Sequence, residues 1–354
     1  MSNQLKTEIL VIAIINIFVI PKAVGQDIHF SQFYASELML NPAATGNFRG
    51  DHRAVVNYKD QWRSVANPYT TYAAAFDMKI FSQKVSKGSL GAGLSAFSDK
   101  AGDAAMGTAQ VNLMLGYRSK LSENSILSAG IQGGFTQRSI NSEAMQWGNQ
   151  DDGITGFDAG LPSGESYDFG NYSYGDFSGG LMWNYSSNQK TMTSNDGLKA
   201  NLGVALFHLN KPKGVFYTAS DERLYAKLVI HGQALIGLKN TNMAIQPKFL
   251  WLHQGPSNEI LLGTMVRYTL KEESKYTGLI KETALSLGGY YRMKDAFIPA
   301  ILFEMANFSI GFSYDINVSD LSAASGGKGG AEVSLRFVNP NPFVAVKTKK
   351  RSLM

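Results

Sequence analysis

Residues 224–239 read LYAKLVIHGQALIGLK. One alternating set is Leu224, Ala226, Leu228, Ile230, Gly232, Ala234, Ile236 and Leu238, and none of these is polar. The other set is Tyr225, Lys227, Val229, His231, Gln233, Leu235, Gly237 and Lys239, most of which carry a polar group. A period of two places successive side chains on opposite faces of an extended strand. The stretch is longer than a usual globular strand of about five or six residues. Its apolar face requires a second sheet or lipid, and its other face is wet.

The rest of the chain decides between these. The alternation recurs over 52–62, 69–80, 89–98, 106–118, 125–138, 175–186, 198–208, 224–239, 242–252, 258–270, 281–292, 295–305, 307–316 and 329–337. Fourteen strands is an even number, as single-chain bacterial outer-membrane barrels have. Strand 7 gives Leu198, Ala200, Leu202, Val204 and Leu206 on one face, with Lys199 and Asn201 on the other. Strand 13 gives Phe308, Ile310, Phe312, Tyr314 and Ile316, against Ser309, Ser313 and Asp315. The longest connections, 139–174, 209–223 and 317–328, all follow odd-numbered strands, whereas the turns after even-numbered strands are mostly short. Long loops at one end and short turns at the other are the pattern of a barrel in the outer membrane. The fold expected is therefore all-β: a 14-stranded antiparallel transmembrane barrel over 51–337. The last strand, GAEVSLRF, ends at Phe337, which suits recognition by a barrel-assembly machine.

Composition agrees. The chain has 354 residues, 36 glycines, 20 phenylalanines, 16 tyrosines and no cysteine, and 17% of it is charged. A disordered chain would have more charge and fewer aromatics. Without cysteine there is no disulfide, thiolate metal site or lipidated cysteine. The net charge of +5 is scattered, not gathered into a patch, so nucleic acid is not the expected partner.

Lys6, the apolar run 9–20 and the small residues Ala23 and Gly25 predict a signal peptide over 1–25, cleaved before Gln26. The run is too short to span a bilayer as a helix. Residues 26–50 form an apolar arm without strand alternation, expected at the barrel mouth or in the lumen. Residues 338–354 form a basic tail ending KTKKRSLM.

No catalytic constellation is visible. The five histidines, His29, His52, His208, His231 and His253, show no metal-ligand spacing. His231 reads as a wet lumen residue. No nucleophile elbow or phosphate-binding glycine loop occurs, so an enzyme is not expected, and neither is a cofactor. Asp151, Asp152, Asp158, Glu165, Asp168 and Asp176 stand among glycines and could offer oxygens to Ca²⁺. They lack EF-hand spacing, and a solvated outer loop is the favoured reading.

Strand parity points Arg53, Lys59, Arg118, Arg138, Lys199, Lys227, Lys239, Lys248, Arg267, Arg292 and Arg336 inward. Fewer acids join them: Asp77, Glu259, Glu282, Glu304, Asp315 and Glu332. This interior is either a salt-bridged filling or a basic surface for an acidic partner segment.

Several stretches carry a family resemblance: Gln26-Asp27, Phe30-Ser31-Gln32, Leu40-Asn41-Pro42-Ala43, Asn57-Tyr58, Gln61-Trp62 and Phe76-Asp77. Further along come Ser98 to Gly102 (SDKAG), Gln137 to Ile140 (QRSI), His208 to Pro212 (HLNKP), Gln254-Gly255-Pro256, Ser313-Tyr314-Asp315 and Glu332 to Leu335 (EVSL). In this order they resemble the PorP/SprF family of outer-membrane proteins of the Bacteroidetes type IX secretion and gliding systems. The resemblance implies a barrel that binds an exported surface protein or adhesin through that protein's C-terminal domain and works with other components of the system. The alternative is a passive channel for small solutes. On the first reading the expected contacts are Phe30, Phe33, Asn41, Pro42 and Trp62. The inward bases Arg118, Arg138, Lys227, Arg267 and Arg292 would supply charge complementarity.

Overall fold

The computed structural model describes residues 27–64, 67–80, 88–102, 104–141, 144–151, 153, 156–158, 160–164, 170–187, 195, 197–214, 223–272, 282–320 and 322–339. The expected leader and all but the first two residues of the expected tail lie outside these residues.

Fourteen strands form one closed barrel: β1 (His52–Gln61), β2 (Tyr69–Ile80), β3 (Gly88–Ala101), β4 (Met106–Lys120), β5 (Ser125–Ser139), β6 (Tyr172–Ser186), β7 (Leu198–Phe207), β8 (Lys227–Gly237), β9 (Met243–Gln254), β10 (Ser257–Lys271), β11 (Thr283–Arg292), β12 (Ala296–Met305), β13 (Phe308–Asn317) and β14 (Lys328–Asn339). Each pairs antiparallel with its sequence neighbours, and β14 closes on β1 with Val55 opposite Arg336 and Lys59 opposite Glu332. Closure satisfies every strand edge, the condition for backbone to cross hydrocarbon. Leu113, Ile131, Phe177 and Ile310 stand on the exposed outer face. Along β1 the alternate residues Arg53, Val55, Asn57, Lys59 and Gln61 are buried on the inner face.

The expected strands are all present, with shifted ends. β8 starts at Lys227, so Leu224 to Ala226 belong to the preceding loop. β14 runs to Asn339, so Phe337 is not its last residue; its ring packs against Phe308 with centroids 4.9 Å apart. The sorting of connections by length is only partial. Connections 140–171 and 208–226 leave one end, which is therefore the outer one. At that same end 255–256 is as short as 306–307 at the other and 293–295 is one residue longer, because a short hairpin suffices wherever no loop is needed. The start of β1 and the end of β14 lie together at the inner, periplasmic end.

Much of the lumen is filled. Residues 27–50 pass through it, with a short helix α1 (Glu37–Leu40) and a 3-10 turn at Pro42–Ala44. Phe33 and Tyr34 form one core with Phe207, Val229, Leu250, Met265, Tyr290 and Ile298 of the inner wall. Leu38, Ala43 and Ala44 form a second with Ala75, Met114 and Met182. Each large side chain so buried is worth about 1.5–3 kcal/mol over exposure.

Candidate functional site

The plug runs the length of the barrel, and its contacts change along the way. Its first described residue, Asp27, lies at the outer end. There its carboxylate meets His208 Nε2 and Lys227 Nζ, each at 2.7 Å, and its backbone N–H donates to Gln254 Oε1. His208, held at φ 56° just past β7, also places Nδ1 3.1 Å from Asp176. A ring between two carboxylates is held protonated. Burial disfavours the charge, but Asp176 and Asp27 overcome it and push His208 up to about 9. Burial would likewise raise Asp27; Lys227 and His208 outweigh it and hold that carboxyl well below its ordinary range.

Deeper in, Lys59 donates to the His29 carbonyl at 3.0 Å. The backbone N–H groups of Ser31 and Gln32 both donate to the buried Glu332 carboxylate, at 2.7 and 2.9 Å. Gln32 returns a bond from Nε2 to the Glu332 carbonyl and accepts one from Ser334. Ser31 Oγ donates to Asp315, which also holds Arg292 at 2.9 Å. Two segments of chain about 300 residues apart thus satisfy each other's buried polar groups, as a water-free interior demands.

Near mid-barrel Asn41 caps the 3-10 turn by accepting from Ala43 N–H at 2.9 Å. Its Nδ2 donates to the strand carbonyls of Leu181 and Val204 and lies 3.2 Å from His231 Nε2. The turn lies across a row of wall glycines. Gly91, Gly116, Gly130 and Gly180 are direct cross-strand partners on β3 to β6. A Cβ on any of them would come within 2.8 Å of Thr45, Gly46, Pro42 or Asn41. Below this row Arg53 joins Asp77 at 2.9 Å and Glu37 at 2.8 Å. Burial would raise Glu37, but Arg53 overrides it and lowers that carboxyl. The plug then leaves along Phe48, whose ring sits under Arg53 and Lys79.

Against this geometry the sequence-based site divides. Phe30, Phe33, Asn41 and Pro42 are buried between plug and wall. Trp62 is apart from them on the outer rim, edge-on to Tyr69 at 5.2 Å. The expected inward bases are engaged internally. Lys227 pairs with Asp27, Arg267 with Glu304 and Glu282, and Arg292 with Asp315, Asp295 and Glu259. Arg118 donates to the Gly46 carbonyl. Arg138, next to the last residue of β5, lies opposite Tyr172 at the outer end and hydrogen-bonds its side chain. His231 is buried against Asn41 and is not a wet lumen residue. Of the acidic loop, Asp151 and Asp158 accept from nearby backbone N–H groups and Asp176 faces His208, while Asp152, Glu165 and Asp168 lie outside the described residues. Among the described residues no group of acids or histidines could hold a metal. The Asp27–His208–Asp176–Lys227 cluster was not anticipated, although Gln26-Asp27 and the HLNKP stretch both carried the resemblance.

A closed barrel with a lipid-facing exterior and a plugged interior is an outer-membrane protein of the secretion and transport class. The chain belongs to the PorP/SprF family of type IX secretion system membrane proteins, whose family model matches residues 23–337. No curated protein matches it by sequence. Among solved structures it is similar to the CymD monoaromatic hydrocarbon channel, at 12% identity over 89% of this chain and 94% of that one, TM-score 0.42. A Pseudomonas aeruginosa FadL homologue matches at 12% identity over 85% and 93%, TM-score 0.44. The translocator domain of the autotransporter NalP from Neisseria meningitidis matches at 12% over 87% and 95%, TM-score 0.34.

Proposed function

We propose that this outer-membrane barrel binds an exported surface protein, through that protein's C-terminal domain, and supports its secretion or anchoring alongside other type IX components. The observation that carries this is the seated plug. A lumen occupied by apolar cores and paired charges is poorly suited to passing solutes, so the working surface is the rim and loops of the outer mouth. Trp62 and the Asp27 end of the plug belong to that mouth. Family membership supports the same reading. The native barrel, isolated with its surroundings, should retain an exported protein bearing such a domain, and the purified barrel in a planar bilayer should stay closed. A steadily open pore from the intact barrel, with no exported protein retained, would replace this proposal with a passive channel.

A further inference from the structure

The plug fills the lumen unevenly. At the periplasmic end a cavity of about 470 Å³ remains between α1, residues 47–49 and the wall. Its lining comes from the ends of β6, β8, β12 and β14 and the starts of β7, β9 and β13, all of which lie at that end. Two carboxylates face it, Glu37 and Glu304, and both are already held, by Arg53 at 2.8 Å and Arg267 at 2.7 Å. Lys199, Lys248 and Arg336 face it too. Arg336 donates to the Ser309 hydroxyl. Among the described residues none of these three bases forms an ion pair.

Lys248 is the informative one. It is only 7% exposed, and its ammonium sits 3.4 Å from the centroid of the Tyr34 ring, with Met265 Sδ at 3.9 Å. Burying an ammonium without an anion is strongly unfavourable. A desolvated cation–π contact offsets part of that. Lys248 therefore stands without an anion beside a cavity whose acids are spoken for, where an incoming carboxylate would stabilise its charged form. The side-chain amides of Gln233 and Gln246 add groups that can bond to a peptide backbone. The volume falls in the range of about 300–1,000 Å³ that holds ligands of many atoms, well above a single small anion.

We propose that this cavity binds a carboxylate-bearing peptide, an acidic segment of a protein reaching the barrel from the periplasm. The inference rests on the barrel and its plug and not on which exported protein meets the outer mouth. The two surfaces are at opposite ends, so either can fail alone.

The test uses the full barrel purified in detergent at physiological ionic strength. The probe is a fluorescein-labelled Glu-Gly decapeptide, with a Gln-Gly decapeptide and inorganic phosphate for comparison. Anisotropy should show saturable binding of the Glu peptide and not of the Gln peptide. Lys248→Gln with Arg336→Gln should weaken it by about tenfold or more, while Lys248→Arg retains it. Heat-modifiable migration on gels verifies that each barrel is folded. Should the double variant fail to fold, Lys199→Gln at the exposed rim should still weaken binding severalfold. No binding to the native barrel, equal binding by the variants, or displacement by phosphate as readily as by unlabelled Glu peptide would each overturn the proposal.

Discussion

The carbonyl of Pro42 lies where a side chain on Gly130 would have to be: a Cβ there would stand 2.3 Å from the carbonyl carbon and oxygen. The plug backbone thus rests on the backbone of β5, and neither partner can change without the other moving. Gly130→Val is favourable for a strand as such, yet it should unseat the turn Pro42–Ala44. The expected result is a folded barrel that conducts steadily in planar bilayers where the native one is closed. A closed Gly130→Val barrel would mean that the turn is not what blocks the lumen.

Glu332 ties two backbone N–H groups of the plug to β14. Glu332→Ala leaves those buried donors unsatisfied, at a cost of about 1–3 kcal/mol. Hydrogen exchange should quicken at Ser31 and Gln32 and leave the strand amides of β3 to β6 unchanged. Exchange that rises uniformly would show a role in the barrel as a whole and not in holding the plug.

The outer latch has a pH signature. His208 is raised from its ordinary 6.5 to about 9, so the stability it contributes is complete below about pH 6.5 and is lost as pH climbs through about 9. Asp27 is lowered, so its contribution holds above the ordinary carboxylate range and is lost only in strong acid. Limited proteolysis near residues 27–30 should accelerate between pH 7 and about 9.5. His208→Gln should cleave quickly at neutral pH and lose that dependence.

Arg53 serves Asp77 and Glu37 at once. Arg53→Met strands both carboxylates and should cost about 3–5 kcal/mol in urea unfolding. Pairing it with Asp77→Leu should recover part of the loss, and strict additivity of the two changes would deny the coupling.

The barrel was legible because lipid imposes a rule on every outward residue. Val56, Leu113 and Phe312 had to be apolar, and the period of two followed. The inner face obeys no such rule, and strand parity could only say that Arg292 or Lys227 pointed inward. It could not say that their partners were Asp315 and Asp27. The plug hid its role because Phe30, Phe33 and Pro42 are apolar whether they face a partner or a wall. Its seat is written in what is missing, the Cβ atoms at Gly91, Gly116, Gly130 and Gly180. Those glycines are far apart in the chain and become a row only when the strand register is known.

The grip on Glu332 also bears on how the cylinder is made. The seam between β1 and β14 joins strands about 300 residues apart in the chain, a closure that costs roughly 5 kcal/mol of chain entropy. The segment just before β1 holds Lys59 through His29 and Glu332 through Ser31 and Gln32, and these two residues face each other across that seam. The N-terminal segment therefore keys the seam: its bonds to Lys59 and Glu332 fit only one pairing of β14 with β1. A shift of one position would turn Glu332 out to lipid and leave the Ser31 and Gln32 amides without an acceptor, so misregistered closure is penalised from within as well as by the lipid outside.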